Sequence, residues 1–268
     1  MSHPDATAGP MARTPRDVAM LLQTMVNDHS VFDSRAILNI TRQPQNRIRV
    51  GWLGDWDDDW STQSANQVTA GKVQDVVSLF PFEDLWDAYN SVRMASTLEK
   101  YVDDFDVDEL IEQRGTLIKE ELAWELQQGK EVTQENLTRA RDIHESFTDS
   151  WLGRVLNEFD VLALPSAQVW PFSVECRYPE MIGDTKMDTY HRWMQVCVPV
   201  SFAGLPCVTI PAGFSEEGLP MGIQLFAGRG DDLKVLNFAN DYYDVSGQFL
   251  PQVVDAKSED AVLKISII

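Results

Sequence analysis

Positive charge is what this chain lacks most. Its 22 lysines and arginines face 42 aspartates and glutamates, a formal net charge of −20 over 268 residues. A surface that acidic repels phosphate backbones and anionic headgroups, so neither nucleic acid nor a membrane surface is expected as a partner. No stretch approaches the roughly 18 uncharged apolar residues of a transmembrane helix. The opening Met1-Ser-His-Pro-Asp5 has neither a basic segment nor an apolar one behind it, so no secretory leader is expected. Cysteine is scarce and odd in number. Cys176, Cys197 and Cys207 lie in or near apolar runs without CxxC or CxxxH spacing. That pattern predicts buried free thiols, no disulfide and no zinc site, hence a soluble cytoplasmic protein.

Other absences bear on chemistry. There is no Gly-Gly or Ser-Ser dipeptide, no GxSxG elbow and no metal-hydrolase HxxE-type spacing. The acidic run Gly54–Trp60 has no glycine at the sixth position of a calcium loop and no glutamate at the twelfth. It reads as a solvated loop. The second acidic run, Asp103–Glu109, reads as a junction whose aspartates cap the next helix. No cofactor or metal is expected. The four histidines are His3, His29, His144 and His191. His144 falls on an apolar helix stripe, where a buried structural histidine is commonest.

What is present is an apolar content of 44%, enough for a sizeable core. Thr14-Pro15 with Asp17 reads as a helix start, followed by Val18, Leu21, Leu22 and Met25 on one side. Ile48–Leu53 reads as a strand. Residues from about Glu83 to Glu158 read as helices, with Gly129 ending one and Thr133 capping the next. The latter carries Leu137, Ala140, His144, Phe147, Trp151 and Val155 along one stripe. Asp231 and Asp232 start a last helix bearing Leu233, Leu236, Ala239 and Tyr243. No linker or repeat divides the chain, so a single domain over 1–252 is expected, with a tail at 253–268.

The stretch from Asp160 to Arg229 organises the rest. Asp160–Pro165 is a short apolar strand closed by proline, after which Ser166 stands where a site often forms. Tyr190–Pro206 is amphipathic. Cys207–Gly213 and Met221–Gly228 are apolar strands joined by the polar turn Ser215–Pro220, a hairpin whose strands read as buried on both faces. The expected fold is α/β, a mixed sheet flanked by helices.

The run Ala203-Gly-Leu-Pro-Cys-Val-Thr-Ile-Pro-Ala-Gly213, followed by Gly218-Leu-Pro-Met-Gly-Ile-Gln-Leu225, resembles the C-terminal half of the amidase signature family. The likeness extends over about residues 2–252. It implies a hydrolase of carboxylic amides that forms an acyl-enzyme on a serine, with a second serine and a lysine as proton relay. It also implies that this machinery belongs to a Gly/Ser-rich segment preceding Gly9–Thr14, so none of these residues is assigned a catalytic role. The chain is then expected to be inactive by itself, a truncated half carrying scaffold and acyl-pocket wall. An N-terminal half or self-association would cover its open faces. By the same resemblance the wall includes Trp170, Tyr190, Trp193 and Met194, residues that equally suit a core. Family members acting in tRNA amidotransfer carry an acidic residue near Met194, so methionine favours an apolar or aromatic amide. The other reading is a non-catalytic relative that binds a partner.

Overall fold

The computed structural model describes residues 9–27, 32–34, 48–54, 74–76 and 80–246. Residues 1–8 and 247–268, most of the Gly54–Trp60 run, and His29 fall outside them.

Local chemistry starts the elements where the sequence predicts. The Thr14 hydroxyl accepts the Asp17 backbone N–H at 3.1 Å, and Pro15 opens helix α1 (Pro15–Val26). The Asp106 carboxylate accepts two backbone N–H groups at the start of α3 (Val107–Glu112). Thr133 and Asn136 form a reciprocal capping box at the head of α5 (Gln134–Glu145). The helices α3 and α5 stand with α2 (Phe82–Val102), α4 (Glu120–Glu131) and α6 (Gly153–Glu158) as one layer, whereas α1 lies apart from it, against Leu233 and Leu236.

Between α5 and α6 the chain winds as a π-helical segment, Ser146–Leu152. A wider turn keeps residues four apart on one face. The stripe Ala140, His144, Phe147, Trp151 and Val155 is therefore buried without a break. Phe147 stacks on Trp151 at 5.3 Å between ring centroids. The His144 ring meets the edge of Phe202 at 5.0 Å, a core position.

Two local expectations fail for tertiary reasons. Gly129 does not end a helix. It lies inside α4, where an added Cβ would stand 2.6 Å from the Met94 carbonyl oxygen of α2 and 2.8 Å from Leu98 Cβ. The glycine serves close packing of two helices. On α1, Pro15 and Ala19 are buried, and Ala19, with Val18 and Leu22 beside it, packs toward Leu236. Leu21 and Met25 face solvent.

Among the described residues a five-stranded sheet runs β2 (Gln74–Asp75), β1 (Val50–Trp52), β3 (Val161–Pro165), β7 (Pro220–Phe226), β6 (Cys207–Phe214). β1 is parallel to both neighbours, and the remaining pairs are antiparallel, so the sheet is mixed. Alternation along β3 divides the core. Leu162 and Leu164 join Phe147, Trp151, Phe202 and Phe226 beneath the helical layer. Val161 and Ala163 join Leu225, Ala227, Val235 and Ala239 on the side covered by α8 (Asp232–Ser246).

The hairpin β6–β7 forms, but β6 is not buried on both faces as expected. It is the sheet's last strand. Ile210 and Ala212 point inward, while Cys207, Thr209, Pro211 and Phe214 are exposed. The three cysteines are free, as expected, but exposed rather than buried. Protein crowding around Cys197 and Cys207 nevertheless pushes their thiols up to about 11 and about 12. Surface reaches water at both residues, yet the thiolate form is disfavoured there.

Candidate functional site

The end of β3 is fastened to its surroundings by backbone and glutamine. The Ser166 N–H donates to the Gly222 carbonyl at 2.9 Å. Gly222 permits this approach, since a Cβ there would lie 2.8 Å from Ser166 Oγ. The Gln224 amide donates to the carbonyls of Pro165 (2.8 Å) and Val196 (3.0 Å). The Gln168 side-chain oxygen accepts the Val196 N–H at 3.2 Å. Both glutamines are buried. They stitch the loop after β3 to the 3₁₀ turn Arg192–Cys197, which leads into α7 (Val198–Ala203).

That stitching brings three of the four predicted wall residues together. Trp193 is buried in a small cluster with Met187, against which Val169, Tyr178, Ile182 and Met194 pack. Phe172 meets Trp193 edge-on at 5.4 Å. Tyr190 lies edge-on to Tyr178 at 5.5 Å and to His191 at 5.3 Å. Trp170 is half-buried and follows Val169 in the same loop. Between Ile182 and Met187 stands a short hairpin, β4 (Met181–Ile182) with β5 (Thr185–Lys186). Ser166 has neither a histidine nor a carboxylate as hydrogen-bond partner among the described residues, so no Ser/His/Asp triad is assembled there.

Beside this cluster lies an ionic junction that sequence reasoning missed. Glu125, on α4, is buried, 5% exposed. Its Oε1 accepts Arg93 Nε (3.1 Å) and Nη2 (2.8 Å) from α2, and lies 2.6 Å from His191 Nε2. Its Oε2 accepts the Thr97 hydroxyl at 2.9 Å. Burial alone would push this carboxyl up. The hydrogen bonds from His191 and Arg93 overcome that and hold it at about 2. The carboxylate therefore stays ionised at neutral pH, with the Arg93 guanidinium and His191 Nε2 as its partners. The legible sign was a glutamate among Leu122, Leu126 and Gly129 at helical spacing. Its partners Arg93 and His191 come from segments 32 and 66 positions away, which no local pattern connects.

Arg93, Glu125, His191 and Tyr190, with Lys119, Glu121, Leu122 and Arg177, line an open cleft of about 570 Å³. Arg177 grips Glu121 through Nε and Nη2, both at 2.6 Å, and reaches Glu120 at 3.1 Å. Its hydrogen bonds hold the Glu121 carboxyl below its ordinary value. The cleft holds cations, carboxylates, an imidazole and a phenol, but no hydroxyl or thiol placed as a nucleophile. Among the described residues no group of three or more His, Cys, Asp or Glu could hold a metal ion. Also among them, no helix is long and apolar enough to cross a membrane.

A family model described as Amidase matches residues 1–236. A glutamyl-tRNA(Gln) amidotransferase subunit from Parvibaculum lavamentivorans is 27% identical over 265 residues, covering 87% of this chain and 52% of that protein. The like-named protein of Chlorobium phaeobacteroides is 32% identical over 103 residues, 38% of this chain and 20% of its own. Among solved structures, a bacterial aryl acylamidase of the amidase signature family superposes with a TM-score of 0.66 at 18% identity. It covers 89% of this chain and 52% of its own. 6-Aminohexanoate cyclic dimer hydrolase superposes with a TM-score of 0.57, also at 18% identity, over 90% of this chain and 54% of its own. At such identities the structural likeness speaks for the fold. The chain spans about half the length of these solved relatives and of the Parvibaculum protein.

Proposed function

The chain belongs to the amidase signature family, and from that premise we propose that it supplies the scaffold and one wall of the acyl pocket of an enzyme hydrolysing carboxylic amides. The carrying observation is the family match over residues 1–236. The gathering of Tyr190, Trp193 and Met194 beside the loop that holds Trp170 supports the pocket assignment. In the reaction a serine oxygen attacks the amide carbon and passes its proton through the relay. Backbone N–H groups hold the oxyanion as the C–N bond breaks. The amine leaves with the proton, and water hydrolyses the acyl ester. In this reading the serines and lysine for these steps come from a Gly/Ser-rich segment of family type that is not among these 268 residues. Met194 in place of an acidic side chain favours an apolar or aromatic amide over the tRNA-linked amide transfer named for the Parvibaculum relative. A reducing, cytoplasmic setting suits the free thiols.

A second reading, a relative that binds a partner without hydrolysing anything, draws on the outer edge of the sheet. Among the described residues β6 has no second strand beside it and leaves Cys207, Thr209 and Pro211 exposed, and α1 presents Met20, Leu21 and Met25 to solvent. An open edge beside apolar side chains is a surface that another chain segment covers. Both an N-terminal half and a second copy fit that need.

One experiment separates the readings. The purified chain is expected to leave aryl and alkyl amides intact. Together with a family N-terminal half, it is expected to elute as one species that hydrolyses them. Stoichiometric labelling of the chain alone by a serine-directed fluorophosphonate would overturn the proposal. Co-elution without hydrolysis would favour the binding reading.

A further inference from the structure

Residues 169–194 are built apart from the body of the molecule. Their apolar side chains close a core of their own, Met187 and Trp193 with Val169, Tyr178, Ile182 and Met194, and contribute none to the cores on either face of the sheet. They contain their own hairpin, extended by the Met187 N–H donating to the Glu180 carbonyl at 2.9 Å. What fastens them to the helical layer is largely ionic, at two places of opposite character.

The first is dry. His191 and Glu125 meet with side chains 9% and 7% exposed, and the Trp124 ring lies tilted over His191 at 5.8 Å between centroids. Arg192 adds a contact at its solvent margin, donating to the exposed Glu83 at 2.5 Å and standing 5.0 Å from the Trp86 ring. The second is wet. Arg177 is 49% exposed and its partner Glu120 is 66% exposed, with only Glu121 sheltered at 14%. Ion pairs in water contribute little and are screened by salt, whereas breaking a buried pair strands a desolvated group and costs more. The open cleft lies between these two attachments, with Arg177, Tyr190 and His191 on one side and α2 and α4 on the other.

We propose that residues 169–194 form a flap over this cleft, pivoting on the His191–Glu125 junction and held shut by the Arg177 clasp to Glu120 and Glu121. Opening the clasp swings the hairpin away from α4 while His191 stays in place. Because Tyr190, Trp193 and Met194 belong to the flap, its movement resets the wall assigned above to the acyl pocket. That consequence rests on the proposed function, but the movement does not.

Amide hydrogen exchange on the full chain tests it without reference to hydrolysis. In Arg177→Ala, amides of residues 174–188 are expected to exchange about three- to fivefold faster, the size expected for losing an exposed ion-pair network. Exchange in α2 and α4 and the urea midpoint stay where they were. About 0.5 M NaCl is expected to accelerate the same amides in the wild-type chain and to add nothing in Arg177→Ala. The swap Arg177→Glu with Glu121→Arg restores slow exchange at low salt. Unchanged exchange in Arg177→Ala overturns the flap. So does acceleration shared equally by α2 and α4, which would make the segment and the helices one cooperative unit. Failure here leaves the hydrolysis test above unaffected, and an inactive reconstituted enzyme leaves the flap standing.

Discussion

Glu125→Ala is expected to lower the unfolding free energy of this chain by roughly 3–5 kcal/mol at neutral pH, a large part of a typical total of about 5–15 kcal/mol. The substitution removes a carboxylate that receives Arg93, His191 and Thr97 together. The guanidinium and the buried imidazole then keep their desolvation cost without the charge that offsets it. Removing one member of such a junction costs more than the junction contributes net, because the partners stay behind. The pH dependence follows from the depressed carboxyl. Its folded value of about 2 lies below the ordinary 4.5. The stabilisation is therefore complete above about pH 4.5 and is lost as pH falls toward 2. The gap between wild type and Glu125→Ala is expected to narrow by about 2 kcal/mol between pH 7 and pH 3. Urea unfolding at both values measures it. A gap under about 1 kcal/mol at pH 7, or one that does not narrow in acid, would show that this carboxylate is not the hub of a buried network.

Gly129→Ala is expected to destabilise by about 1–3 kcal/mol, reversing the sign of its helix propensity. In an open helix the same change stabilises by about 1 kcal/mol. Here the new methyl would stand 2.6 Å from the Met94 carbonyl oxygen and 3.3 Å from its carbonyl carbon. Both belong to the backbone of α2, so relief requires the two helices to separate rather than a side chain to turn. Separation also loosens Arg93 from Glu125, because the two residues sit on these same helices. Thermal unfolding followed by circular dichroism reports the sign. A rise in the midpoint would mean that α2 and α4 are not in backbone contact at this position.

Caps, stripes and the family's hairpin were all legible because each is written within a few residues. Thr14 needs only Asp17, and Thr133 only Asn136, to satisfy the first N–H groups of their helices. The stripe from Ala140 to Val155 was legible for the same reason, although the π-helical segment that carries it was not. The apolar run Val161–Leu164 announced a strand buried on both faces, and β3 is the middle of the sheet. Tertiary structure alone decided that β6, equally apolar in sequence, is the edge, because apolarity measures a strand's demand for cover and not its supply. It alone turned Gly129 from an expected helix end into a point of helix contact, and half of the α1 stripe toward solvent. Above all it decided the charge junction. Arg93, Glu125 and His191 are each unremarkable in their own segments. Their meaning comes from meeting in a place without water, where a charge is tolerated only if its partners arrive from elsewhere in the chain.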